Sequence, residues 1–419
     1  MNELIKQRIN QLNNGEVPSG YEKTEFGIFP CDWVVDKRLK DIGNFGKGKG
    51  LPGDKMASKG VPCVGYGDIY MKYNNFHFKK AKSFVDEETA SESQPIQKGT
   101  LLFTGTGETA EEIGKCVCYN GDETIYAGGD IITFISNEVN PLFLTYQQYQ
   151  DFSLRNKARF GQGHSVVHIK RENLEKLHVA YPKSADEQSK IAEILMKWDE
   201  AIELQEKTIE RLHTKRDAVV QRVIKKKEGW HQEILSNLLV ERTEFATKED
   251  GYPHASLTMD GVMQKTDRYN RDFLVKSDDK KYKVTHYNDI CYNPANLKFG
   301  VICVNKYEND AIFSPIYITY ETNPQYNTDF VGSILCSADF IRYIRKYEEG
   351  TVYERQAVKS SDFLRGVIWV PDTKEEQDQI ALIISEINTY IQKQVDYCNA
   401  LKQQRKVLQQ YFLNGIVRV

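Results

Sequence analysis

PKSADEQSKIAEI at 182–194 and PDTKEEQDQIALI at 371–383 share one pattern, and the match continues without a gap over 182–223 and 371–412, at an offset of 189 residues. Eleven of the 42 aligned positions are identical. They include Pro182/Pro371, Glu187/Glu376, Gln188/Gln377, Ile191/Ile380, Ala192/Ala381, Ile202/Ile391, Gln205/Gln394, Leu212/Leu401 and Arg216/Arg405. Unrelated helices of this composition would share roughly three, so the chain carries an internal repeat. The same register holds upstream, where IKRENLEKLHVAYP ends at Pro182 and VKSSDFLRGVIWVP at Pro371.

Each copy opens on Pro and a polar cluster followed by acidic residues, a helix-start signature. Ile191, Leu195, Trp198, Ile202, Gln205, Ile209, Leu212, Arg216, Val219 and Val223 recur at alternating steps of four and three, as do Ile380, Ile384, Ile387, Ile391, Gln394, Cys398, Leu401, Arg405, Leu408 and Phe412. That is a heptad seam. Helices of about 40 residues reach about 60 Å. Neither can bury its stripe alone, so the two are expected to pair within the chain as an antiparallel coiled coil. A register that sets Gln205 opposite Arg405 and Arg216 opposite Gln394 places the polar seam residues in shared layers, where such residues fix alignment at some cost in stability.

Outward from the repeats lie two segments of similar size, 21–181 and 229–370. Each opens near a Trp (Trp33, Trp230). Short β-type runs fill both: GTLLFTGTG, CVCYNG and DIITFIS in the first, DICYNP, GVICVN and IYITYE in the second. Each ends in a short helical stretch, a Gly-containing loop and a strand leading into its repeat. The expected fold class is α+β: two globular α/β domains separated by two long helices, 182–228 and 371–419. Residues 1–20 carry a helical stripe of Leu4, Ile5, Ile9 and Leu12 that is expected to dock near the C-terminal repeat.

At 419 residues the chain suits two or three domains. Apolar residues are 40% and charged residues 27%, a globular profile. No apolar run approaches the roughly 20 residues of a membrane span, and Met1 to Asn14 lacks a signal-peptide core. The eight cysteines are scattered without a CxxC pair or Cys/His ligand spacing, so neither zinc nor a disulfide framework is indicated and the expected compartment is the cytoplasm. Net charge is −3, unlike a typical DNA binder, but the mean hides segregation. Asp36–Lys82 holds eleven basic against four acidic residues, and Ser83–Glu138 two against eleven. Such blocks can give a neutral domain a basic face.

The layout closely resembles the specificity subunits of type I restriction-modification systems. GYEKTEFGIFPCDW (20–33), GKGKGLPGDKMASKGVPCVGYGDIY (46–70), SLTMDGVMQKTDRYNRDF (256–273), YKVTHYNDICYNPANLKFGVICVN (282–305) and the PxxxxEQxxIA helix starts carry the resemblance, which spans nearly the whole chain. It implies two target-recognition domains, each reading half of a split DNA site, and a helix pair acting as a ruler between them. It also implies a non-catalytic subunit that recruits two methyltransferase subunits and further restriction subunits. S-adenosylmethionine, ATP and magnesium would then be held by those partners, and no cofactor by this chain.

Phosphates supply most affinity in such proteins and a few side chains at base edges supply specificity. In the first domain the candidates are Lys47, Lys49, Lys55, Lys72, Tyr73, Lys79, Lys80 and Lys82, then Arg155, Lys157, Arg159, Gln162 and His164. In the second they are Lys265, Arg268, Tyr269, Asn270, Arg271, Asn296 and Lys298, then Arg342, Arg345, Lys346, Tyr353 and Arg355. His164 reads equally well as an ordinary loop histidine.

Motifs that would carry chemistry fail on inspection. In 105–116 Gly114-Lys115 is followed by Cys, not Ser/Thr, and Thr109 stands where a phosphate loop needs Gly. Asn293-Pro294-Ala295-Asn296 lacks the second Pro and the aromatic residue of an amino-methyltransferase tetrapeptide. Gly46 to Gly50 sits in no βαβ unit. Two rivals remain at this level: a DNA-binding protein of similar layout that acts without methyltransferase partners, and a coiled-coil scaffold whose globular ends bind protein.

Overall fold

The computed structural model describes residues 3–73, 75–163, 166–258, 261–264, 281–348 and 357–419. They form two compact units. The first runs to Glu206 and includes Tyr397–Val419; the second is Lys207–Asp396.

The core of the first unit is a five-stranded sheet. Its strands are β1 (Gly43–Lys47), β2 (His77–Phe78), β3 (Leu101–Thr104), β4 (Cys116–Tyr119) and β5 (Ile131–Ser136), in spatial order β1-β5-β3-β4-β2. Only the β4–β2 pair is parallel. Alternate residues of these runs face opposite ways, as strand geometry demands. Leu101, Phe103, Cys116, Cys118, Ile132 and Phe134 join one core cluster; Leu102, Val117, Tyr119 and Ile131 join another. Both faces are covered, which is why the runs read as continuously apolar. Two helices follow, α1 (Pro141–Gln147) and α2 (Asp151–Phe160).

The second unit repeats this plan in shorter strands. β6 (Leu239–Glu241), β7 (Ile290–Tyr292), β8 (Ile302–Val304) and β9 (Ile318–Thr322) lie in the order β6-β9-β7-β8, all antiparallel, and helices α3 (Thr328–Leu335) and α4 (Ala338–Ile344) follow. It has the order of the first sheet without a counterpart of β2 among the described residues.

The repeated sequence positions have matching structural jobs. Trp33 pairs with Pro182 across a short ladder, and Trp230 pairs with Pro371. Trp33 meets Phe143 edge-on at 6.2 Å, and Trp230 meets Phe330 edge-on at 5.8 Å. Asn140 caps α1 by accepting from the Leu142 and Phe143 amides, and Asn327 caps α3 by accepting from Phe330. The Asn140 amide donates to Gln188 Oε1 (2.8 Å) and the Asn327 amide to Gln377 Oε1 (2.9 Å). The duplicated glutamines therefore fasten each long helix to the domain before it. The two prolines close strands rather than open helices, which begin at Ala185 and Lys374.

The long helices are Ala185–Val223 and Lys374–Leu413, 39 and 40 residues. In the first unit Asp199 pairs with Arg405 (2.8 Å) and Glu206 with Lys402 (2.6 Å), so the segments run antiparallel. In the second, Val220, Val223 and Ile224 pack into one cluster with Ile380, Ala381 and Ile384. Every seam position of the second helix is buried or half-buried, and so is every one of the first except Val219, which is 36% exposed. The seam moves to its neighbour Val220 because 3.6 residues per turn drift against a strict heptad. The expected polar layers are also corrected. Arg405 sends its guanidinium to Asp199 and Gln409 rather than to Gln205, and Arg216 forks onto the adjoining Asp217. A charged donor is stabilised most by a carboxylate, and one lay within reach of each.

The N-terminal helix Glu3–Asn13 leaves Leu4 exposed and half-buries Ile5, Ile9 and Leu12. Arg8 Nη1 donates to the Ile416 carbonyl (3.3 Å), and the Tyr21 hydroxyl donates to the Gly415 carbonyl (2.6 Å).

Candidate nucleic-acid interface

The Gly-rich stretch after β1 is shaped by close backbone approach. Gly48 N–H donates to the Ile131 carbonyl (2.8 Å) and Lys49 N–H to the Ala127 carbonyl (3.0 Å). A Cβ on Gly48 would stand 1.8 Å from the Gly128 carbonyl oxygen, so no other residue fits. The turn leaves Lys47 and Lys49 exposed at the end of the sheet, and Lys55 exposed on the short turn Gly53–Lys55.

A second element reaches the same sheet end. Gly105 follows β3; its N–H donates to the Asp130 carbonyl, just before β5. Thr106–Gly107 then pairs with Val167–His168, and Thr106 Oγ1 lies 3.1 Å from His168 Nδ1. Gln162 forms a two-way backbone bridge with His168. Lys47, Thr106, Gln162 and His168 thus crown one end of the sheet. Thr106 and His168 were not among the sequence candidates; they stand 62 positions apart, and only the strand pairing unites them.

On α2, Arg155 and Arg159 are exposed. Lys157 is corrected: it is 1% exposed, and its Nζ donates to the Gly114 carbonyl at 3.0 Å. Burial pushes its pKa down to about 8. It points inward from the helix face opposite Arg155 and Arg159 and cannot meet a phosphate. Tyr73 is corrected too, being 3% exposed and stacked on Phe78 at 4.1 Å. Lys72 is held by the buried Asp68 carboxylate (2.8 Å) and by Ser83, and Lys82 donates to the Lys72 carbonyl. Lys79 faces Glu200 at 3.6 Å, and Lys80 is exposed.

In the second unit, counting from the Asn140 and Asn327 caps sets Arg155 against Arg342, Arg159 against Lys346 and the buried Lys157 against the buried Ile344. The two domains therefore expose cations at matching positions: Arg155 and Arg159 on α2, Arg342 on α4 and Lys346 on the 3-10 turn Arg345–Tyr347 that follows it. Arg342 pairs with Asp339 and Arg345 with Glu348, each three residues away; Lys346 lies over Tyr343 (4.0 Å) and Tyr347 (4.8 Å). Arg365, another residue the sequence did not single out, stands over Tyr347 at 5.1 Å. The Arg342–Asp339 pair is exposed on both sides and worth little, so a phosphate can replace its carboxylate at small cost. Asn296 is exposed, and Lys298 is half-buried over Phe299. His164, Lys265, Arg268, Tyr269, Asn270, Arg271, Tyr353 and Arg355 lie outside the described residues.

Among the described residues no group of His, Cys, Asp and Glu is arranged to hold a metal, and no helix is long and apolar enough to cross a membrane.

Residues 30–214 match the family model of the type I restriction modification DNA specificity domain. No curated protein sequence matches the chain. Among solved structures, the type I restriction-modification system S subunit from M. genitalium is 14% identical, with a TM-score of 0.54 over 91% of this chain and 96% of that one. A chain from a study of complex assembly and conformational transition of the type I R-M system is 11% identical, with a TM-score of 0.56 over 96% of this chain and 100% of that one. At these identities the structures establish the fold. The chain has the fold of the type I restriction-modification S subunits, and its residues 30–214 match the model of the type I DNA specificity domain.

Proposed function

We propose that this chain is the sequence-specific DNA-recognition subunit of a type I restriction-modification complex, with one domain for each half of a bipartite target. The observation that carries this reading is the duplication of the whole recognition plan. Two domains of one sheet order, each fastened by the same Gln and the same Asn cap, present exposed cations at the same helical positions. Two readers linked in one chain select a split site, as dimeric binders do by symmetry. The sheet-end group of Lys47, Thr106, Gln162 and His168 supplies donors and acceptors suited to base edges, while Arg155, Arg159, Arg342 and Lys346 supply phosphate contacts.

In this reading the subunit is non-catalytic and works in the cytoplasm with two methyltransferase subunits and with restriction subunits. S-adenosylmethionine, ATP and magnesium belong to those partners. Gel shifts test it. Binding to a bipartite duplex should strengthen sharply when the cognate methyltransferase subunit is added, and mapping methylated adenines in the host genome should return a split motif. No DNA binding even with that partner refutes the reading.

A further inference from the structure

Outside the repeats the two domains share little sequence, yet one kind of residue recurs between them. Residues 151–161 align with 338–348 by count from the Asn140 and Asn327 caps, and 170–176 align with 359–365 by the repeat register. Four exposed cations in these segments have exposed cationic counterparts: Arg155/Arg342, Arg159/Lys346, Lys170/Lys359 and Lys176/Arg365. The same segments hold six carboxylates, and none has an acidic counterpart. Asp151, for example, matches Ala338, and Asp362 matches Asn173.

A ring recurs with the cations. Lys176 Nζ lies 5.9 Å from the centre of the Phe160 ring, and the Arg365 guanidinium lies 5.1 Å from that of Tyr347. Phe160 ends α2, and Tyr347 ends the turn after α4 at the same count from its cap. In each unit, then, a cation from the segment leading into the long helix lies over a half-buried ring, and that ring ends the helical stretch bearing two of the others. A ring steadies a cation without neutralising it, so the charge is left for another partner. Arg365 also reaches Asp362 at 3.3 Å and remains 65% exposed.

We propose that this shared set seats the backbone phosphates of duplex DNA alike in both domains, with Lys176 over Phe160 and Arg365 over Tyr347 as its fixed points. This rests on the function proposed above. What two domains reading different half-sites must both bind is the sugar-phosphate backbone, a polyanion that asks for cations at set places. A methyltransferase subunit would meet both domains too, but protein interfaces are depleted in lysine and centre on apolar residues, whereas the matched exposed residues here are cations. Bases are left to side chains that the domains do not share, such as His168, whose place in the second domain is taken by Ala357.

The test measures binding of the full chain, assembled with its cognate methyltransferase subunit, across a salt series. One duplex carries the bipartite target and a second of equal length is scrambled. Lys176→Glu with Arg365→Glu should weaken binding to both duplexes by the same factor, roughly ten- to thirtyfold, and lower the salt slope by about 2. The conservative exchange Lys176→Arg with Arg365→Lys should keep the wild-type slope. Lys98→Glu, a charge reversal elsewhere on the first domain, should leave both affinities near wild type. A loss confined to the target duplex would make these cations base readers, and unchanged binding would leave them idle; either overturns the proposal. So does a reversed variant that unfolds like wild type but no longer takes up the methyltransferase subunit without DNA, since the surface would then be a protein dock. A wild-type complex that binds neither duplex overturns the functional reading instead, and this site with it.

Discussion

Arg405 and Arg216 stand at the same step of a repeated helix in opposite surroundings. Arg405 is nearly sealed from water, with Asp199 buried beside it. Arg216 is a third exposed and leans on a surface aspartate. The same residue on the same helix is a structural element in one unit and an adaptable group in the other. What decides is the neighbouring domain: the rings of Tyr146 and of Phe76, just before β2, lie over Arg405 in the first, whereas Arg216 lines an open cavity with Asp217, Ser333 and Cys336, among others, in the second.

The strongest way to break this comparison is Asp199→Ala. It leaves a buried guanidinium without its carboxylate and should cost about 3–5 kcal/mol in urea unfolding, whereas Asn388→Ala, at the same place in the second repeat, should cost under about 0.5 kcal/mol. Equal losses would mean that the two helix positions do the same work. Next comes Tyr146→Ser, which imports the residue that stands at the same count from the helix cap in the second unit, Ser333. Removing a buried aromatic ring should cost about 3 kcal/mol by thermal or urea unfolding. A loss under about 1 kcal/mol would show that the buried cluster around Arg405 closes up without the ring.

Lys157 against Ile344 sharpens the comparison through pH. The folded-state pKa of Lys157 is lowered to about 8 from an ordinary 10.5. Between those values the unfolded chain holds the proton and the folded chain does not, so wild-type stability should rise with pH across that window. Lys157→Met should lack that rise, and the two unfolding curves should diverge by about 2 kcal/mol between pH 8 and pH 10. Parallel curves would mean that Lys157 keeps its charge when folded. The smallest effect concerns the surface helices. Arg155→Glu with Arg159→Glu, and separately Arg342→Glu with Lys346→Glu, should each weaken DNA binding about tenfold and lower the salt slope by about 2. If only one pair acts, α2 and α4 are not equivalent readers.

The repeat, both long helices and nearly every seam residue were legible in the sequence, because heptad periodicity is local and was written twice. The strand runs were legible as well, since the alternation of two covered faces makes them apolar throughout. Lys157 was not: SLRNKARF reads as a basic patch until the helix is known to bury the face that carries Ser153 and Lys157. Tyr73 misled for the same reason, as a residue type does not say which way its side chain faces. The polar registry of the seam failed because Asp199 and Asp217, off the seam line, were within reach of the arginines and are better partners for them than glutamine. Thr106 and His168 could not be found from spacing, since a two-residue ladder brings them together.

Each long helix gives one half to each unit, so only one unit is a continuous stretch of chain. The second unit is the single stretch 207–396. The first unit waits for Tyr397–Val419: Phe412 and Leu413 lie in its main core, and Arg405 in its buried cluster. During synthesis the domain translated first is therefore the one completed last. Chains truncated after residue 396 and released should resist protease across 229–370 while remaining open to it across 21–181, and the reverse order of protection would contradict this account.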